Sequence, residues 1–490
     1  MARVESAEFE NNTPAPFGSV SRASGIGNAG KVFWPLTFVL TYIFAVLNAS
    51  NSIAVLSCIV VGVSYALTKK HCRPFAVYRI TITSFWYVTY LAMIFLPSFF
   101  IFAGQEGPYR SMYLFGVESV LITVPFGWYL ADSYFHFRQQ EVDGYFVHAI
   151  EQIDSTPRMA LRFALFLAIA ILLMVAYLVE VPTVPLFYLL RNPGNLWQLV
   201  LLREESLKLL NSPLRYFYAV ARGTLYPFLI VVSMGCYLQS RRRAWLILFG
   251  FSLATGVFYA SLTLAKAPVA AIILLMVLMG YIYSGGHLAR KIIVGGLLLT
   301  FAFPTFVVVS AASAQEDVGP GQALIAISGR LLEIPAEVVY YYFEVFPSHV
   351  PYLHGRSIDK FARLTGQQPF DTANYVGLYA LPAAVESITY NGAFIADLYA
   401  DFGIAGVLIG GVLAGAIMQM FHIFLVRSRK TIPNIASYAF LILAFWYMNS
   451  TSLPEILASD GALLVLALKW YLERGRISAS DGGTIPALSA

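Results

Sequence analysis

Charge is what this sequence lacks most. Asp, Glu, Lys and Arg make up 12% of its 490 residues, while 58% are hydrophobic. A soluble domain carries roughly a quarter of its residues as charge to cover its surface, so a soluble globular protein is excluded. Cysteine is almost absent too. Cys58 and Cys236 fall in apolar runs and Cys72 in a basic loop, so no extracytoplasmic disulfide framework is expected. Residues 1–30 are polar, without the short apolar core of a cleavable signal, and are expected to form a disordered tail. No Walker-type phosphate loop or nucleophile elbow occurs. There is likewise no close His pair on a helix, nor an Asp-rich motif of the kind that holds Mg²⁺ on a sugar nucleotide. A nucleotide, a metal and a cofactor are therefore not expected. The net charge of +5 is scattered between apolar runs and offers nucleic acid no surface. No internal repeat is visible.

Long apolar runs are abundant. They fall near 32–48, 50–67, 75–103, 112–132, 162–186, 217–238, 244–262, 267–284, 292–311, 403–426, 434–452 and 459–472, and the last could open earlier, near Leu453. Runs of about 18 residues or more cross ~30 Å of hydrocarbon. The expected fold is an all-α polytopic integral membrane protein with about twelve transmembrane helices. Lys69, Lys70 and Arg73 form a basic cluster, as do Arg241, Arg242 and Arg243, then Arg290 with Lys291. Arg427, Arg429 and Lys430 form another, and Arg474 with Arg476 the last. Each follows an even-numbered span, so the positive-inside rule places the even loops and both termini in the cytoplasm. The expected organisation is a tail at 1–30, nine spans within 31–311 with an outer loop at about 187–216, a large helical outer loop at 312–392, three spans within 393–476 and a tail at 477–490.

The outward loops carry more cations than that rule favours. Arg191, Arg203, Lys208, Arg215 and Arg222 belong to the first, Arg330, Arg356, Lys360 and Arg363 to the second, and Lys266 to the hairpin "TLAKAPVA". In "LLREESLKLL" the cations Arg203 and Lys208 could pair locally with Glu204 and Glu205 on one short helix, and outer arginines can snorkel to lipid phosphate. Lys266 and Arg330 sit in apolar settings where an unpaired cation is costly. In "SGRLLEIPAEVVYYYFEVFPS", Arg330, Glu333, Glu337, Tyr341 and Glu344 recur at helical steps along one face. Pro335 would break that helix or sit in the first turn of a new one. The bland reading is an amphipathic helix lying on the membrane. His349 and His354 are the outward histidines. Asp397 and Asp401, four residues apart, precede the tenth run, where carboxylates also suit a helix N-terminus. Arginine forks bind phosphate oxygens bidentately, and carboxylates with aromatic faces suit sugars. That combination fits a substrate carrying a diphosphate and hydroxyls, delivered in the membrane.

The stretches "GRLLEIPAEVVYYYFEVFPSHVPYLHG" and "ITYNGAFIADLYADFGIAGVLIG" together resemble the bacterial oligosaccharide repeat-unit polymerases, the Wzy-type O-antigen polymerases. The resemblance rests on Arg330, Pro335, Tyr340 to Tyr342, Asn391, Gly392, Asp397, Tyr399, Phe402, Gly403 and Gly406, and covers about 80 residues well. "RSIDKFARLTG" has nine residues between Arg356 and Gly366 where some members have ten, and is not taken as their motif. The resemblance implies a periplasm-facing, metal-independent glycosyltransferase of GT-C-like architecture in the bacterial inner membrane. It would join oligosaccharide units carried on undecaprenyl diphosphate, alongside a flippase and a chain-length regulator. It implies Asp397, with Glu333 and Glu337, as candidates to activate the attacking hydroxyl. Arg330, Lys266, Arg191, Arg203 and Arg356 would then hold diphosphate, and Tyr341, Tyr399, Asn391 and His354 would hold sugar. Gly403 and Gly406 would let the tenth span pack closely on a neighbour. An O-antigen ligase and a secondary transporter are the alternatives.

Overall fold

A bilayer leaves backbone groups no water to bond, so apolar runs fold as helices that satisfy them internally. The structure is a computed structural model that describes residues 29–70, 79–151, 157–192, 202, 205–264, 266–286, 329, 333–381 and 390–474. Those residues are helical with no strand. Seven helices are long and apolar enough to cross a membrane: Asn51–Lys69, Ile82–Gly104, Tyr109–Phe135, Arg158–Glu180, Pro213–Ser240, Arg243–Ser261 and Phe394–Arg427. Val32–Asn48 and Ala267–Tyr283 are shorter apolar helices. The chain is thus an all-helical, membrane-embedded protein. The run expected at 292–311 lies outside the described residues. The run expected at 434–452 is the helix Ile432–Trp446 and a 3₁₀ turn, Tyr447–Asn449. The last run is divided into Leu453–Ala458 and Ala462–Glu473 by Gly461, whose φ of 83° is left-handed. The second piece has 12 residues, rising ~18 Å, and does not cross a bilayer alone.

Two spans contain a π turn, Leu91–Phe95 and Ala221–Leu225. Each ends two residues before a proline, Pro97 or Pro227. Proline lacks an N–H and its ring clashes with the carbonyl four residues back, and one extra residue in the turn removes both problems.

The 394–427 helix packs along the 109–135 helix, and glycine sets their separation. A Cβ on Gly127 would meet the Val412 carbonyl oxygen and lie 2.7 Å from the Ala416 amide nitrogen. One on Gly415 would meet the Val124 carbonyl, 2.9 Å from its carbon. Small residues at such crossings let backbones touch. Gly411 faces Thr123 in the same seam. Gly406, expected to serve a neighbouring helix, instead faces the Leu398 carbonyl from the first piece of the same element. The reason is Gly403, with φ 63° and ψ −154°, which breaks the helix and folds 394–402 back against the turn that contains Gly406. A Cβ on Gly403 would sit 2.9 Å from the Tyr352 ring.

Aromatic rings fill the core where three spans meet. Trp86 stacks on Tyr90 at 5.2 Å and meets Trp128 and Phe394 edge-on, each at 6.1 Å. Ion pairs gather at one end of the bundle. There Arg427 holds Glu141 at 2.7 Å and Arg79 holds Asp143 at 3.1 Å. Lys430 donates to the carbonyls of Phe146 and His148 at 3.1 and 2.9 Å. The 333–381 segment and the start of the 394–427 helix lie at the opposite end, called here the loop end.

Candidate functional site at the loop end

Asp397 lies in the first turn of the 394–427 helix, which no side chain caps. Gly392 admits the chain there, because a Cβ would strike Ala396 and lie 3.2 Å from the Tyr342 ring. The Thr372 hydroxyl donates to Asp397 Oδ1 at 3.1 Å. Thr372 opens the helix Thr372–Ala380, whose N-cap Asp371 accepts from the Asn374 amide at 3.0 Å. Among the described residues Asp397 Oδ2 has no partner and is not sealed from solvent. Glu455, in the first turn of Leu453–Ala458, and Asp401 are its charged neighbours. A carboxylate held by one hydroxyl, with a free oxygen among like charges, is equipped to accept a proton.

Asp401 is used differently. It is 2% exposed and accepts from the Gly355 amide at 2.9 Å, the Ser357 amide at 3.3 Å and the Ser357 hydroxyl. Backbone bonds from Leu353 to the Ala400 carbonyl and from His354 to the Asp401 carbonyl, both 3.0 Å, complete the seam. Asp401 therefore clamps the 353–357 turn to the membrane helix. Asp401→Ala should cost about 1–3 kcal/mol for each buried donor left unpaired. The expected result is a lower melting temperature in detergent and faster tryptic cutting at Arg356, Lys360 and Arg363; unchanged values would contradict the clamp.

The helix Ile334–Val345 carries Pro335 and Glu337 in its first turn, with Glu333 as the exposed N-cap. Its tyrosines face different ways. Tyr340 meets Tyr113 edge-on at 5.5 Å, and the Tyr113 hydroxyl donates to the Ala336 carbonyl at 3.0 Å. Tyr342 is buried and donates to the Tyr390 carbonyl at 3.1 Å. Tyr341 is half-buried and donates to Glu337 Oε1 at 3.4 Å, with Tyr390 beside its ring. Phe343 stacks flat on Tyr399, centroids 3.7 Å apart. The segments 334–345 and 390–402 thus fold on each other as one unit.

Burial pushes the Glu337 carboxyl up; the Tyr341 hydroxyl lowers it in part, and Glu333 adds a smaller upward push. A carboxyl raised in the folded chain binds its proton more tightly there. Stability is therefore lost as pH rises from the ordinary glutamate value, ~4.3, through the raised one. Glu337→Gln should melt higher than wild type at pH 7.5, with the difference vanishing below pH ~4. A variant equal to wild type at pH 7.5 would contradict that account.

The remaining candidates are dispersed. Arg330 and Arg203 lie outside the described residues, as does the Lys266 side chain at the start of Lys266–Tyr283. Arg191 is exposed at the end of Pro185–Arg191, a helix tied by its Leu186 amide to the Leu262 carbonyl at 3.1 Å. Arg356 donates to the Gln368 carbonyl at 3.0 Å and lies 5.8 Å from the Phe370 ring. His354 is exposed with φ 53°, and Asn391 is exposed just before the helix. Tyr399 is buried between Phe343 and Tyr352. Of these candidates the fold brings Glu337 and Tyr341 into contact, while Asp397 and Asn391 lie on the 390–402 segment that packs against their helix.

Sequence reasoning missed Thr372 and Glu455. "PFDTAN" holds an Asp N-cap signal that would have placed Thr372 at a helix start, and "SLPEIL" has Pro and Glu in a first turn. A second polar group lies inside the bundle. Gln419 donates to Asp132 at 2.6 Å, Tyr438 and His422 share a hydrogen bond of 2.9 Å, and Tyr145 donates to Asn434 at 2.7 Å. Among the described residues, no group of three His, Cys, Asp or Glu is placed to hold a metal. The chain matches no family model, no curated protein and no solved structure.

Proposed function

We propose that this protein is a periplasm-facing glycosyltransferase of the bacterial inner membrane. It polymerises oligosaccharide units carried on undecaprenyl diphosphate, with about twelve spans in a GT-C-like arrangement and both termini cytoplasmic. One observation carries the reading: the two stretches that resemble repeat-unit polymerases, some fifty residues apart, pack as one unit, with Phe343 on Tyr399 and Tyr342 on the Tyr390 carbonyl. That unit carries Asp397, with one oxygen free, on one segment and the hydrogen-bonded Tyr341 and Glu337 on the other.

In the proposed reaction the terminal hydroxyl of one lipid-linked unit attacks the anomeric carbon of a second chain. The glycosidic bond to lipid diphosphate breaks, and the electron pair leaves with the diphosphate. Asp397 takes the hydroxyl proton. Negative charge grows on the leaving diphosphate, where fixed cations lower the barrier. Arg330 and Lys266 are the first candidates by sequence. The alternative of a secondary transporter draws on the polar group around Asp132 and His422, since ionisable residues inside a membrane often mark transport paths. Deletion of the gene from its host separates the two. A polymerase predicts surface glycan reduced to single repeat units, restored by wild type and not by Asp397→Asn. Retention of the full-length glycan would overturn the proposal.

A further inference from the structure

Arg222 lies in the Ala221–Leu225 π turn, in the loop-end half of the Pro213–Ser240 span. Among the described residues it forms no ion pair. Its guanidinium donates to Thr263 Oγ1 at 2.8 Å and lies 5.4 Å from the Tyr218 ring centroid. Tyr177, Tyr218 and Tyr259 are each fully buried around it. Tyr177 stacks on Tyr218 at 4.4 Å, and Tyr218 meets Tyr259 edge-on at 4.8 Å. The Tyr177 hydroxyl faces Ser206 and the Tyr218 hydroxyl faces Arg222 and Thr263, and among the described residues neither makes a hydrogen bond of normal geometry. Beside Arg222, Gly223 is exposed, with nothing within 4 Å of where a Cβ would stand.

A cation inside a span without a counter-charge is costly. Here it is surrounded by buried hydroxyls that can donate, and it is half-exposed next to open space. A guanidinium fork with several O–H donors matches a multi-oxygen anion such as a phosphoryl group. A chain of neighbouring residues runs from the turn that holds Arg222 to Asp397. Thr224 donates to the Asp460 carbonyl at 3.1 Å, Asp460 interacts with Glu455, and Glu455 neighbours Asp397.

We propose that Arg222, with Thr263 and the phenols of Tyr177 and Tyr218, binds the phosphate or diphosphate group of a membrane lipid. The identity of that lipid rests on the functional reading above, in which it is one of the two lipid-diphosphate substrates. The π turn forced by Pro227 is the positioning device for the guanidinium.

The test uses the full-length protein in detergent or nanodiscs and measures binding directly by native mass spectrometry. The probes are undecaprenyl diphosphate, undecaprenol, phosphatidylglycerol and inorganic diphosphate. Wild type should bind undecaprenyl diphosphate and not undecaprenol. Arg222→Gln should weaken binding by about tenfold or more, and Arg222→Lys, which keeps charge but loses the fork, by less. Thr263→Val should fall between wild type and Arg222→Gln. Melting curves taken in parallel separate lost binding from lost fold, and Arg222→Lys keeps the test decisive where Arg222→Gln fails to fold. Equal binding of phosphatidylglycerol supports the lipid-phosphate site and assigns it to bulk lipid. Equal binding of undecaprenol, binding of inorganic diphosphate as tight as the lipid, or a folded Arg222→Gln that binds as wild type would overturn the proposal. Lipid binding lost in Arg222→Gln while wild type forms no polymer leaves the site standing and removes the polymerase reading.

Discussion

Asp397→Asn is expected to slow polymerisation by about 10²–10⁴-fold, the usual contribution of a positioned proton acceptor. The substitution is nearly isosteric. The asparagine oxygen can still accept from Thr372, which holds the native carboxylate at 3.1 Å, so the helix start should keep its place. What disappears is the ability to take a proton from the attacking hydroxyl. Lipid-substrate binding and the melting temperature should stay near wild type while the initial rate falls. Thr372→Val should slow the reaction less, because the carboxylate remains and only its orientation is freed. An Asp397→Asn protein that polymerises at the wild-type rate would reduce Asp397 to a structural residue.

Gly415→Val is expected to abolish accumulation of folded protein in the membrane. A Cβ at Gly415 would stand against the Val124 carbonyl, and Gly127 faces the Val412 carbonyl and the Ala416 amide in the same crossing. These obstacles are backbone atoms, which cannot rotate away as a side chain can. Overpacking a core commonly costs about 1–3 kcal/mol. Separating two helices along their main contact also removes dispersion on both sides of the seam. Gly250→Ala in the Arg243–Ser261 helix is the control, since nothing lies within 4 Å of the added methyl. It should be neutral or slightly stabilising, because alanine favours helix over glycine by about 1 kcal/mol. Size-exclusion profiles of fluorescent fusions read both outcomes. A monodisperse Gly415→Val protein at wild-type level would mean that the two helices do not touch as described.

The helices were legible because apolar length is a direct physical requirement of the bilayer. Asn51–Lys69 and Arg243–Ser261 lie within a few residues of the runs expected at 50–67 and 244–262. The π turns were not read, although Pro97 and Pro227 inside spans are the signal for a disturbed turn. The role of Gly403 in a break, and of Gly411 and Gly415 in the close crossing, needed the conformation of the chain, since all are glycines in one apolar run. Spacing placed Asp397 and Asp401 on one helix face, yet it could not show that loop 353–357 occupies Asp401 while Asp397 keeps a free oxygen. Those partners lie 25 to 46 residues away in sequence. The stripe from Arg330 to Glu344 was legible as far as Glu337, Tyr341 and Glu344, which share the Ile334–Val345 helix.

The measurement that bears most directly on the central claim is polymerisation by the purified protein alone. One lipid-diphosphate-linked repeat unit from the source organism's own glycan would be supplied in detergent with EDTA and no nucleotide. The products would then be resolved on a gel. The account predicts a ladder spaced by one repeat unit, with undecaprenyl diphosphate released in proportion. Wild-type protein that is folded and binds the unit, yet leaves it as a single band with no diphosphate released, would contradict it.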